Sequence, residues 1–264
     1  MTGHEDFPVR VEQYGALAVW TIDREARANA LSRATLFALG KLAREAEENS
    51  SIRGVVLRGA GDRVFCAGAD LRERATMTDD DVRVQLRLYR SELGALDRLS
   101  KPVVALLNGH ALGGGLELAL LCDLRIAVAH AQLGLPETTL AVIPGAGGTQ
   151  RLPRVVGEAR AKELILLGRR ISAETALAWG LVQAIVPEGT DPLAFATEFL
   201  APIAGGAPIA IAAALEAVDR SFDESLATGL DVEALLYERV IPTADRREAL
   251  AAFAEKRKPR FEGR

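Results

Sequence analysis

Gly109–Asp123 reads GHALGGGLELALLCD, a glycine turn that runs into an apolar helix bearing one carboxylate, Glu117. Three consecutive glycines, Gly113, Gly114 and Gly115, are a poor choice for helix stability, since glycine costs roughly 1 kcal/mol relative to alanine in a helix. What they supply is unusual backbone angles and a bare peptide that a ligand can approach. Free N–H groups at a helix start favour developing negative charge. A carboxylate one turn further along, inside an apolar helix, is a candidate acid or base. The same stretch also fits a close-packed helix start with Glu117 at the surface, and alone it does not separate the two readings.

Working outward, a second carboxylate follows twenty residues later. Glu137 lies in LGLPETTLAVIPGAGGTQRL, behind Pro136 and ahead of another glycine turn, Gly145 to Gly148. Upstream, FCAGADLRE (Phe65–Glu73) places Ala67-Gly68-Ala69 between apolar residues and an acid. The chain thus offers three small-residue turns and two carboxylates. Adding water across a carbonyl-activated double bond requires such a set: peptide N–H groups for the oxyanion, and paired carboxylates for the water and its proton.

These three motifs, in this order and spacing, resemble the enoyl-CoA hydratase/isomerase (crotonase) superfamily. The resemblance runs from about Val9 to the end. ADLRERATM (Ala69–Met77), GLPET, IPTADR (Ile241–Arg246) and AFAEKRKPRFEG (Ala252–Gly263) are most similar to its 3-methylglutaconyl-CoA hydratase branch. The resemblance implies a hydro-lyase acting on an enoyl-CoA thioester, with Glu117 and Glu137 catalytic and the N–H groups of Ala67 and Gly114 as the oxyanion hole. It implies 3-methylglutaconyl-CoA as the leading substrate and a short-chain enoyl-CoA such as crotonyl-CoA as the alternative. Arg27 and Ala28, then Gly68, Ala69, Asp70 and Gly113, and finally Phe253 and Lys256, fall on positions that contact the thioester or coenzyme A. No cofactor is implied, because coenzyme A enters as part of the substrate. The implied fold is α/β, a spiral of ββα units with a C-terminal helical lobe that assembles as a trimer or a doubled trimer. Residue by residue, other roles stay open: Arg27 as an exposed loop cation, Asp70 as a helix cap, Phe253 and Lys256 as an apolar position and a charge near a helix end.

The chain has 264 residues, 49% hydrophobic and 26% charged, with a formal net charge of −4, so nothing draws it as a whole toward nucleic acid or anionic membrane. The branch includes an RNA-binding member with a lysine-rich helix, which raises a non-catalytic RNA-binding or scaffolding role as an alternative. Here the matching Ser32–Arg53 stretch carries four basic and three acidic residues, the pattern of a solvated helix face. Cys66 and Cys122 sit in apolar runs and read as buried thiols. His4, His110 and His130 form no ligand pattern for a metal. Residues 1–10, MTGHEDFPVR, lack a signal pattern and no apolar run approaches ~20 residues, so a cytoplasmic protein is expected. No GxSxG elbow, Walker loop or complete GxGxxG is present.

Alternating patterns predict a hairpin over Val9–Tyr14 and Ala16–Asp23, and strands at Gly54–Arg58, Val103–Leu107, Leu124–Ala129 and Gln183–Val186. Helical spacing predicts Ser32–Asn49, a long run Thr78–Leu99, then Gly157–Leu167 and Ser172–Ala178. From Asp191 the chain turns wholly helical, with Ser221 and Glu224 as a capping box. That shift divides the chain into a core over 1–190 and a helical lobe over 191–264. Arg72, Arg74, Arg83 and Arg87 cluster ahead of and within the long helix, either as surface charge or as partners for a second substrate carboxylate.

Overall fold

The computed structural model describes residues 7–264; residues 1–6, with His4 and most of the expected absence of a signal pattern, lie outside the described residues. Ten strands are described: β1 (Val9–Tyr14), β2 (Leu17–Ile22), β3 (Gly54–Gly59), β4 (Val64–Cys66), β5 (Val103–Leu107), β6 (His110–Leu112), β7 (Leu124–Val128), β8 (Gln132–Gly134), β9 (Arg170–Ser172) and β10 (Ala184–Val186). Six form one sheet in the order β1-β2-β3-β5-β7-β10, and four form a second in the order β4-β6-β8-β9. Strands β1 and β2 make the expected antiparallel hairpin; β2, β3, β5, β7 and β10 then run parallel. Strand β5 (VVALL) is buried along its whole length, as parallel strands covered on both faces must be.

The chain steps from the large sheet to the small one three times, through β3–β4, β5–β6 and β7–β8, and each pair is followed by a helical segment. This repeat is the ββα spiral of a crotonase fold. Its consequence is local. Strands β4, β6 and β8 are parallel neighbours, so the turns leaving their C-terminal ends lie side by side. Those turns are Ala67-Gly68-Ala69, Gly113-Gly114 and Pro136-Glu137, the three motifs of the sequence. The short strands of this second sheet carry too few residues to show a period in the sequence.

A buried amide ties the β5–β6 connection to the β3–β4 connection. Asn108, which follows β5, accepts from the Gly59 N–H at 2.9 Å and donates to the carbonyls of Gly59 and Gly61. The helix Arg33–Glu48 is N-capped by Ser32 and buries Leu36, Leu39, Leu42, Ala43 and Ala46 on the main core, on the face its spacing indicates. The long helix expected over Thr78–Leu99 is interrupted. It starts at Asp79 with a Thr78/Asp81 capping box, and a π-helical turn at Tyr89–Leu93 inserts before Gly94–Asp97. Within this turn Tyr89 and Glu92 are both buried.

In the C-terminal region, Pro208–Arg220 and Leu226–Val240 share a small apolar cluster of Ala213, Val232 and Leu236. The preceding helix Pro192–Phe199 sends Ala196 into the main core together with Leu200. A division at residue 190 therefore separates helices that pack on one core. The expected Ser221/Glu224 capping box does not form. Ser221 Oγ donates back to the Val218 carbonyl at 2.6 Å, and Ser225 caps the next helix instead. Among the described residues no helix is long and apolar enough to cross a membrane.

The helix Gly114–Leu120 packs so closely on β4 that a Cβ on Gly115 would overlap the Cys66 carbonyl oxygen. Both are backbone, so neither can turn away. Overpacking of this kind costs about 1–3 kcal/mol, and for a chain of this size each kcal/mol lowers Tm by about 2–4 °C. Gly115→Ala is expected to melt several degrees below the unmodified protein in a thermal scan; an unchanged Tm would show that the two backbones can separate freely.

Candidate active site

Glu117 sits in the first turn of the helix Gly114–Leu120 and is 3% exposed. Its Oε1 accepts from the N–H groups of Ala146 at 2.8 Å and Gly148 at 2.7 Å. The glycines of Gly145–Gly148 are needed for this contact, because a Cβ on Gly148 would stand 3.0 Å from Glu117 Oε1. Burial pushes the Glu117 carboxyl up from its ordinary range, and the N–H donors of the Gly145–Gly148 turn pull it partly back.

Glu137 opens the 3-10 turn Glu137–Leu140 after β8 and is half-buried. A Cβ on Gly113 would lie 2.9 Å from its Oε1, so the carboxyl rests against the bare Cα of the central glycine turn. Its Oε2 is buried with no hydrogen-bond partner among the described residues. Burial, with the Glu117 charge adding to it, pushes the Glu137 carboxyl up to about 7. The two carboxyls thus sense each other while their surroundings differ: one oxygen of Glu117 is clasped by two N–H groups, and one oxygen of Glu137 has none.

The backbone facing them corrects one expectation. The Ala67 N–H, expected as an oxyanion donor, donates to the Ala28 carbonyl at 3.0 Å and is already engaged. Two residues on, the strand-like pairing of Leu31 with Ala69 uses the Leu31 N–H to the Gly68 carbonyl and the Asp70 N–H to the Leu31 carbonyl. The Ala69 N–H lies between these bonds and has no backbone acceptor among the described residues. It stands 3.5 Å from the position of a Cβ on Gly114, whose own N–H is a free donor at the helix start. Gly68 makes the approach possible: its φ is +95°, and a Cβ there would meet the Leu112 carbonyl and the Gly114 nitrogen at about 3.0 Å or less.

The other expected contact residues divide into four groups. Gly68, Ala69 and Gly113 line this junction. Asp70 is spoken for: it caps the short helix Leu71–Arg74 and receives Arg24 at 2.9 Å. Burial would raise its carboxyl, but Arg24 and the capping N–H groups outweigh burial and hold it below its ordinary range. Ala28 adopts a left-handed backbone with φ 50°, and its carbonyl is the one that takes the Ala67 N–H; neighbouring Arg27 is exposed. Phe253, 87% exposed, and Lys256 belong to the C-terminal helix end and do not line the cleft described below. Cys66 and Cys122 are buried free thiols, with burial pushing Cys66 up to about 12. Among the described residues no cluster of His, Cys, Asp or Glu could hold a metal ion.

A cleft of about 1120 Å³ opens onto the Gly145–Gly147 turn that supports Glu117. Its walls are the helix around Val82–Arg90 and the loop Val142–Ala146, and Arg74 and Tyr89 line both it and a smaller pocket that takes in Ala69. Only an aromatic residue in a polar helical run marks Tyr89 in the sequence. Neither the Gly148 clasp nor the Arg24–Asp70 pair was visible, since each joins distant segments.

A spiral of ββα units that brings two carboxylates and two free peptide N–H groups to one junction defines a crotonase-type thioester enzyme. The sequence profile described as Enoyl-CoA hydratase/isomerase matches residues 12–264, and the chain belongs to that family. YngF of Bacillus subtilis strain 168, whose name places it with the enoyl-CoA hydratase/isomerase proteins, is 49% identical over 247 residues, covering 94% of this chain and 95% of its own. The human mitochondrial methylglutaconyl-CoA hydratase is 39% identical over 259 residues, covering 96% of this chain and 75% of its own. The crystal structure of an enoyl-CoA hydratase from Bacillus anthracis superposes with a TM-score of 0.95 at 47% identity, over 97% of this chain and 100% of the other. The protein is an enoyl-CoA hydratase-type hydro-lyase.

The raised Glu137 carboxyl has a consequence for stability that is independent of chemistry. A carboxyl of ordinary value 4.5 held near 7 when folded imposes no penalty below the ordinary value, where it is protonated in both states. The penalty grows between the two values and is complete above the higher one. Glu137→Gln is therefore expected to raise Tm by a few degrees at pH 8 and to leave it unchanged at pH 4. An equal shift at both pH values would show that packing, not charge, is the cause.

Proposed function

We propose that Glu117 and Glu137 add one water across the double bond of an enoyl-CoA whose thioester oxygen is held by the N–H groups of Ala69 and Gly114. The observation that carries this reading is the difference between the two buried carboxyls. Glu117, with two N–H donors on Oε1, suits the ionised form; Glu137, with Oε2 unpartnered, suits the neutral form. Polarising the carbonyl makes Cβ electrophilic, and loss of one oxyanion donor typically costs about 10²–10³ in rate. Glu117 takes a proton as the water oxygen bonds to Cβ. Glu137 delivers its proton to Cα as the enolate collapses, and proton exchange between the two carboxyls resets the site.

For the acyl group we favour 3-methylglutaconyl-CoA over crotonyl-CoA. Support comes from the branch-like stretches around Ala69–Met77 and Ala252–Gly263 and from the similarity to the human enzyme of that name. For assembly we favour a trimer built on the C-terminal helices. Leu226 at 81%, Leu235 at 70% and Phe253 at 87% exposure are large apolar side chains turned to solvent there, which an interface between subunits would cover. In that assembly Phe253 and Lys256 would meet a neighbouring subunit's coenzyme A.

Loss of the enoyl-thioester absorbance, followed with each substrate in turn, tests the acyl assignment. The expected result is a kcat/KM for 3-methylglutaconyl-CoA at least about tenfold above that for crotonyl-CoA; the reverse order would make this a general short-chain hydratase. Because Glu137 acts here as the acid, kcat/KM for hydration should fall as pH rises through about 7, where it deprotonates. A rate that instead climbs through that range would assign the two glutamates the opposite way round.

A further inference from the structure

The cleft beside Glu117 is charged in one sense. Six arginines line it against a single carboxylate, Asp97. Two of the six are already matched: Arg151 reaches Asp97 at 2.6 Å and Arg83 reaches Asp80 at 2.7 Å. Of the other four, Arg87, Arg90 and Arg98 are exposed at the outer wall, where water solvates them. Arg74 differs. It is half-buried, it borders both this cleft and the smaller one behind it, and its guanidinium makes no ion pair or hydrogen bond among the described residues. The acids nearest it in the chain are committed elsewhere. Asp70 holds Arg24 and caps a helix, and Glu73 Oε2 accepts from the Arg33 N–H at 3.1 Å. A half-desolvated cation without a partner is costly, and a bound anion would offset that cost.

Beside this cation the cleft is lined by Val82, Leu86, Ile143 and the buried ring of Tyr89. The smaller cleft is lined by Arg74, Tyr89 and Ala69 together, so the guanidinium shares a pocket with one of the two N–H groups assigned to the thioester oxygen, and its charge also acts on Glu137 and Tyr89. We propose that Arg74 is a specificity residue that pairs with a carboxylate at the far end of the acyl chain, so that the site selects enoyl-CoA thioesters of dicarboxylic acids over neutral ones of the same length. This rests on the reading of the cleft as the acyl site of the proposed hydratase. The fork of an arginine suits a carboxylate through two parallel hydrogen bonds.

Binding of two saturated thioesters of equal chain length, glutaryl-CoA and pentanoyl-CoA, tests this without turnover. Titration calorimetry on the intact protein should give glutaryl-CoA an affinity about ten- to a hundredfold higher. In Arg74→Met that ratio should fall to about threefold or less, Arg74→Lys should retain part of it, and Arg87→Met at the outer wall should retain most. A ratio near one in the unmodified protein, or one that Arg74→Met leaves intact, overturns the assignment. So does a loss in Arg87→Met as large as in Arg74→Met, which would point to a diffuse field. Hydration of crotonyl-CoA by the same protein reports separately on the chemistry: an inert protein that still prefers glutaryl-CoA defeats the hydratase reading and leaves Arg74 in place.

Discussion

The contact on which the rest depends is between two stretches of bare backbone, Cys66–Ala69 leaving β4 and Gly113–Gly115 leaving β6. Parallel pairing of β4 with β6 sets these turns beside each other, and the absence of side chains at Gly68 and Gly115 lets them close to van der Waals distance. That approach puts two unpaired N–H groups, on Ala69 and Gly114, at one point. It also fixes the axis of the helix that carries Glu117. A side chain at either glycine would part the donors from each other and from the carboxylate together, so fold and site are one constraint here.

The second organising feature is electrostatic asymmetry inside an apolar shell. Glu117 and Glu137 are both taken out of water, which favours their neutral forms. The clasp from Ala146 and Gly148 partly offsets this for Glu117, while Glu137, whose Oε2 has no hydrogen-bond partner among the described residues, is pushed up to about 7. In the mechanism proposed above, an acid and a base are thereby made from the same residue type by position alone. The unpartnered oxygen costs stability in the free protein, a trade that active sites commonly show.

Much of this was legible in the sequence, for reasons that can be named. The apolar runs of β3, β5 and β7 and the face of Arg33–Glu48 announce themselves by period, and the GHALGGGLE and LGLPE motifs mark both glutamates. What was hidden depends on contacts between distant segments. The strands of the second sheet are three residues long and have no period to read. The π-helical turn at Tyr89–Leu93 breaks a pattern that looks like continuous helix. The choice between Ala67 and Ala69 as a donor turns on which N–H the Ala28 carbonyl takes, a partner nearly forty residues upstream. Ser221 looked like a cap, and only the placement of Ser225 one turn later shows otherwise.

The claim that the two glutamates act as a unit on one water is tested most directly by a double-mutant cycle in single-turnover hydration of crotonyl-CoA. Glu117→Gln, Glu137→Gln and the doubly substituted protein would be compared with the unmodified one. Groups that share one transition state are strongly non-additive. The account predicts that each single substitution lowers the rate by about 10²–10⁴ and that the double substitution is little slower than the worse single. Losses that multiply, or a Glu137→Gln rate within a few-fold of the unmodified protein, would contradict it.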